Sequence, residues 1–146
     1  MHPSLPTLIR YQEITVGMKA AHDYVITQEI YEHFLAAFQD HSSVHVDEAF
    51  ARSRGFSGKV MHGSLLNGFV SHFVGMHFPG QSSLLLSVDL RFSHPSYLGD
   101  AIRLEAVVSQ KMDARNIVII DVKASNLTQN WLAARGRIQV MIKEAA

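Results

Sequence analysis

The chain predicts an α+β fold in which an antiparallel sheet wraps one buried helix. Three observations carry that expectation. A run from about His62 to Phe78 is apolar almost all round, the pattern of a helix with neighbours on every side. Four segments after residue 80 are rich in alternating and β-branched apolar residues, as strands are. A length of 146 residues, 47% of them hydrophobic, suits one ordinary domain over 1–146 with a core of this kind.

The elements follow in order. An early strand is expected over about Lys19–Ile26. Thr27 can cap a helix running through Gln39, with Glu29 in the first turn, where the helix dipole favours an anion. Ile30, Phe34, Ala37 and Phe38 recur at helical spacing and give it one apolar face. After Asp40 the polar or small residues 41–46 read as a loop, followed by a short helical run from Asp47 to Arg54 that Gly55 and Gly58 break. In the second helix, Leu65, Leu66, Phe69, Val70, Phe73 and Val74 leave hardly any polar face, and Pro79-Gly80 ends it. Strands are expected over Leu84–Phe92, Ala101–Val108, Ile117–Ala124 and Leu132–Ile142. The intervening breaks at Pro95–Asp100, Met112-Asp113 and Asn126–Asn130 look like short turns, so each strand should lie beside the next.

Composition narrows the function. Thirteen basic residues balance thirteen acidic ones, interspersed along the chain, which removes the long-range field that holds nucleic acid or an anionic membrane. Without cysteine there is no disulfide framework, thiolate metal site or thiol nucleophile, and a cytoplasmic setting fits. The apolar run at Leu65–Phe78 is too short and too polar to span a membrane, and Met1–Pro6 lacks a signal-peptide core.

Nine histidines are the unusual count, and two polar clusters hold several of them. Asp40-His41-Ser42-Ser43-Val44-His45 follows the first helix, and a carboxylate and an imidazole five apart can converge on one water for acid–base chemistry. On spacing alone the commoner reading of such a pair is a helix-end or turn aspartate and an ordinary partly buried histidine, since both residues are common in loops. His62-Gly63-Ser64 opens the central helix, whose unpaired N–H groups can stabilise a developing oxyanion; Gly63 also fits a purely packing role. A third polar stretch, Arg91–Asp100, separates two strands. Zinc would need three or four convergent ligands, and the His41/His45 pair has no glutamate as in the zinc-protease motif, so no metal is expected. His2, His22, His33 and His77 read as surface or packing residues, while His72 can face either the pocket or the core.

Taken in order, Asp40-x-x-x-x-His45-Val46-Asp47, Phe56, Val60-Met61-His62-Gly63-Ser64, Phe78-Pro79-Gly80 and Phe92-x-x-Pro95-x-x-x-Gly99-Asp100 resemble the MaoC-like hydratases and dehydratases. The likeness is greatest to the single-domain (R)-specific enoyl-CoA hydratases, and it spans about residues 13–142. The resemblance implies the hot-dog fold, an antiparallel sheet around a long central helix. It implies that Asp40 and His45 activate the water that adds to C3 of a trans-2-enoyl thioester, while the Gly63 N–H binds the thioester oxygen. It places Ser42, His62 and Ser71 in support, with no metal or redox cofactor. CoA or an acyl carrier protein would bring the substrate, and the chain would work as a homodimer or a dimer of dimers. Ser42-Ser43 stands where the family commonly has Asn-Pro, so one hydrogen bond replaces two or more and the loop backbone is freer. A hot-dog thioesterase and a non-catalytic acyl-thioester binder are the alternatives to hydration.

Overall fold

A computed structural model describes residues 4–146; His2 lies outside them. Five strands form one antiparallel sheet in the order β1-β3-β4-β5-β2: β1 Lys19–Val25, β2 Ser83–Phe92, β3 Ala101–Met112, β4 Ile117–Asn126 and β5 Trp131–Ile142. Four helices accompany them: α1 Gln28–Phe38, α2 Ser43–Val46, α3 Glu48–Ser53 and α4 Ser64–Met76. Strand residues alternate between core and solvent, as a sheet covered on one face requires. Phe73 and Val70 of α4 are buried with Ile102, Ile120, Ile138 and Val140 from the sheet. Burying large apolar side chains at about 1.5–3 kcal/mol each is what fixes α4 here. Among the described residues no helix is long and apolar enough to cross a membrane.

Local rules account for the helices. Thr27 caps α1 by accepting from the Ile30 N–H at 3.2 Å, and Asp47 caps α3 by accepting from the Phe50 N–H at 2.9 Å. The apolar face expected on α1 is only partly buried: Ile30 and Phe34 are half-buried, Ala37 and Phe38 exposed, and the fully buried residue is Tyr31. Ile30 and Phe34 pack against the margin of the core, and the face as a whole borders a cleft. Residues 43–46, expected as loop, make the single helical turn α2.

One expected neighbour relation is overturned. β2 and β3 do not pair; β2 pairs with β5, and three strands separate it from β1 at the opposite edge. The segment between them crosses the end of the sheet, held by buried Asp100. Asp100 accepts from the Tyr97 N–H at 2.8 Å, Asn126 Nδ2 at 2.6 Å and Gln129 Nε2 at 2.9 Å. Gly99, at φ +87°, supplies the left-handed step before it. This crossing forms one wall of the candidate site.

Candidate active site

The site grows from the end of α1. Gln39 takes a left-handed conformation at φ 56° and turns the chain out to Asp40. Asp40 Oδ1 accepts from the Ser42 N–H at 3.2 Å and the Ser42 hydroxyl at 2.6 Å, closing a local turn. Ser43 then occupies the first position of α2, where proline is favoured in helices generally. The substitutions at 42 and 43 are thus both accommodated, because the serine hydroxyl reaches the carboxylate and the helical turn fixes the backbone. Two further bonds pin the turn: the Val60 N–H donates to the Val44 carbonyl at 2.9 Å, and the Tyr31 hydroxyl to the His45 carbonyl at 2.8 Å.

This framework sets the chemistry of His45. Its Nδ1 lies 2.7 Å from the Val60 carbonyl oxygen, which can only accept, so Nδ1 carries the proton. In the neutral ring Nε2 then presents its lone pair, and it lies 3.9 Å from Asp40 Oδ2. Buried His62, 3% exposed, uses Nε2–H to donate to the backbone carbonyl of Asp40 at 2.9 Å. The same Nε2 lies 3.9 Å from Asp40 Oδ2, and the His62 ring lies against His45 with centroids 3.9 Å apart. One buried imidazole thus contacts both candidate acid–base residues.

Hydrogen bonds from Ser42 hold the Asp40 carboxyl below its ordinary range, helped by the neighbouring imidazoles. Asp40 is an anion at neutral pH, and with neutral His45 it offers two acceptors to the same point. A water donating to two acceptors at about 2.8 Å each spans roughly 4–4.5 Å between them. The observed 3.9 Å is slightly shorter than that span and accommodates one such molecule with a narrowed angle, its lone pairs directed away from both.

Two clefts flank the cluster. One, of about 360 Å³, is lined by His45, His62, Gly63, Phe92 and His94. The other, of about 680 Å³, lies between α1 and α4 and is lined by Phe34, Phe38, Asp40, Leu65 and Phe69. Asp40 faces one cleft and His45 the other, so the reacting centre falls between them. Gly63 stands exposed just before α4, and among the described residues no acceptor takes its N–H. That free donor at a helix start is suited to an oxyanion.

The structure brings Asp40, Ser42, His45 and His62 together, and Gly63 lines the same cleft as His45 and His62. Ser71 stands apart: it is exposed on α4 and lines neither cleft. His41 is exposed and lines neither cleft, and His72 joins Tyr24, His22 and His77 in a separate aromatic group on β1 and α4. The potential metal ligands that do converge are Asp40, His45 and His62, within 4.8 Å of one another. The His62 nitrogen facing the carboxylate carries a proton for the Asp40 carbonyl, so it has no lone pair to give a metal. Tyr31, which positions the turn through its hydroxyl, carried no signal in the sequence, whereas Val60 stood within the family-like motif without its backbone role being visible.

Comparison with known proteins agrees with this architecture. The MaoC like domain family matches residues 12–130, and the chain belongs to that family. Its hot-dog fold is shared with the unliganded R-hydratase of Pseudomonas aeruginosa, at TM-score 0.87 and 28% identity over 96% of this chain and 89% of that one. In sequence it is 29% identical to the (R)-specific enoyl-CoA hydratase of Aeromonas caviae, over 75% of this chain and 81% of the relative. A mitochondrial 3-hydroxyacyl-[acyl-carrier-protein] dehydratase of Arabidopsis thaliana is 29% identical over 61% of this chain and 52% of its own.

Proposed function

We propose that this hydro-lyase adds water reversibly to trans-2-enoyl-CoA, giving (R)-3-hydroxyacyl-CoA, and removes it in the reverse direction. The observation that carries the reading is the pairing of Asp40 Oδ2 with the free Nε2 of His45 across 3.9 Å. The names of the hydratase and dehydratase relatives support the substrate class. The water between the two groups loses a proton to the pair as its oxygen bonds to C3. Electrons from the C2–C3 double bond move towards the thioester oxygen, where the Gly63 N–H donates to the growing charge. The pair then delivers a proton to C2 and returns to its starting state. The step is redox-neutral and its proton balance closes, so it calls for no metal or redox cofactor. Ser42 and His62 hold Asp40 in place, while Ser71 lies outside both clefts of the single chain.

The exposed edge of β2, with Leu84 and Leu86 on it, supports pairing with a second copy as a homodimer or a dimer of dimers. The test is to incubate the purified protein with crotonyl-CoA, following loss of the enoyl absorbance, the chirality of the 3-hydroxy product and release of free thiol. Loss of absorbance with an (R) product and no thiol is expected. Thiol release in its place would make it a thioesterase, and binding without turnover would make it an acyl-thioester carrier.

A further inference from the structure

The solvent face of the sheet carries its charges in rows that run across the strands. In one row Arg137 of β5 stands opposite Asp89 of β2 and Asp121 of β4, and its Nε lies 2.8 Å from Asp121 Oδ1. Two residues earlier on the same face, Arg135 stands opposite Arg91 of β2 and Lys123 of β4. Directly opposed residues on antiparallel strands have Cβ atoms roughly 4.5–5.5 Å apart, and like charges there destabilise the sheet. Lys123 has a distant partner in Glu105 at 3.9 Å. Among the described residues neither Arg91 nor Arg135 has a carboxylate partner, and both are exposed. Arg135 lines two shallow depressions on this face, of about 420 and 350 Å³, and Arg91 lines the second. The carboxylates of Asp89 and Asp121 also border that second depression, and those of Glu105 and Asp121 the first; Asp121 is paired with Arg137 and Glu105 with Lys123, while Asp89 stands opposite Arg137 in the register.

We propose that Arg91 and Arg135 form a site for a phosphate-class dianion on the outer face of the sheet, with Lys123 flanking it. The register sets these two arginines directly opposite one another, with no carboxylate within ion-pair distance of either among the described residues, and a phosphate bridging them turns that repulsion into paired charge-assisted hydrogen bonds. Two sources carry this chemistry. One is free pyrophosphate or a nucleotide. The other, which rests on the function proposed above, is the phosphate-bearing end of a CoA thioester.

Titration of the ¹⁵N-labelled protein with pyrophosphate at constant ionic strength tests the site without reference to catalysis. The Nε signals of Arg91 and Arg135 should shift while that of Arg137 does not. Arg91→Gln and Arg135→Gln should each weaken binding by roughly tenfold or more, the scale of one lost charge-assisted hydrogen bond. Without anion, Arg135→Gln should leave Tm unchanged or raised, whereas Arg137→Gln lowers it. No shift at Arg91 and Arg135, or parental affinity in both variants, overturns the proposal. The source is read from KM in Arg135→Gln: a rise for crotonyl-CoA but not crotonyl-pantetheine identifies the CoA phosphates. Unchanged KM for both, with pyrophosphate binding lost, identifies a free anion. A protein that turns over no enoyl thioester still gives the pyrophosphate result, so failure of the reaction and failure of the site are separate outcomes.

Discussion

Replacing His62 by phenylalanine separates positioning from stability. The His62 ring is 3% exposed, lying 3.9 Å from the His45 ring and 4.6 Å from that of Phe34 by centroids, and phenylalanine preserves this aromatic packing. It removes the 2.9 Å hydrogen bond to the Asp40 carbonyl, worth about 0.5–1.5 kcal/mol net. It also removes Nδ1, which is buried without a protein partner, and relieving an unsatisfied buried group gains about 1–3 kcal/mol. The two effects nearly offset, so Tm should stay within a few degrees of the parent or rise, at roughly 2–4 °C per kcal/mol for a chain of this size. Activity should behave differently. With the clamp on its backbone gone, Asp40 no longer holds its 3.9 Å spacing to His45, and small misplacements of a reacting group cost up to about 10²-fold in rate. His62→Phe should therefore lower kcat/KM for crotonyl-CoA by roughly 10- to 100-fold at unchanged Tm, measured by enoyl absorbance and calorimetry. Parental kcat/KM in that variant would refute the clamp.

Three other perturbations follow from the same geometry. Ser42→Ala removes the hydroxyl bond, the largest of the causes that depress the Asp40 pKa, and leaves the backbone N–H bond, so the acid limb of the kcat/KM profile should move to higher pH; an unmoved limb would show that Asp40 does not set it. The sign for stability is that of a depressed carboxyl: its contribution is present above the unfolded pKa of 3.8 and lost as pH falls through the lower folded value, and Ser42→Ala should shrink that acid-labile part. Gly136→Ala would put a Cβ 1.7 Å from the Asp89 carbonyl oxygen, forcing β5 and β2 apart, and should cost upwards of about 2 kcal/mol in urea unfolding. Asp100→Ala leaves the Asn126 amide and the Tyr97 N–H without their acceptor and should cost about 2–5 kcal/mol, with KM rising as the crossing segment beside Phe92 and His94 loosens.

What the sequence made legible was set by local physics. The apolar circumference of α4, the Thr27 cap and the alternation of the strands each depend on residues a few positions apart, and each appears close to its expected place. The pairing of β2 with β5 does not, because residues 83–92 carry no local record of a partner some fifty positions away. The turn α2 was hidden for a related reason: Ser43–Val46 is too short for a helical period, and its helix depends on Tyr31 and Val60 from other elements. At the site, Asp40, His45 and Gly63 were legible as a motif. The reach of His62 back across 22 residues to the Asp40 carbonyl, and the exposure of Ser71, became visible only once α4 had been placed in space.

The central claim is that Asp40 and His45 act together on one water. Steady-state hydration of crotonyl-CoA by the parent protein, Asp40→Asn and His45→Gln tests it most directly, since both replacements keep side-chain size while removing the acid–base function. An active parent and a fall in kcat/KM of roughly 10² or more in each variant are expected of this pair, the usual scale for a lost acid–base group. Parental turnover in either folded variant would contradict it.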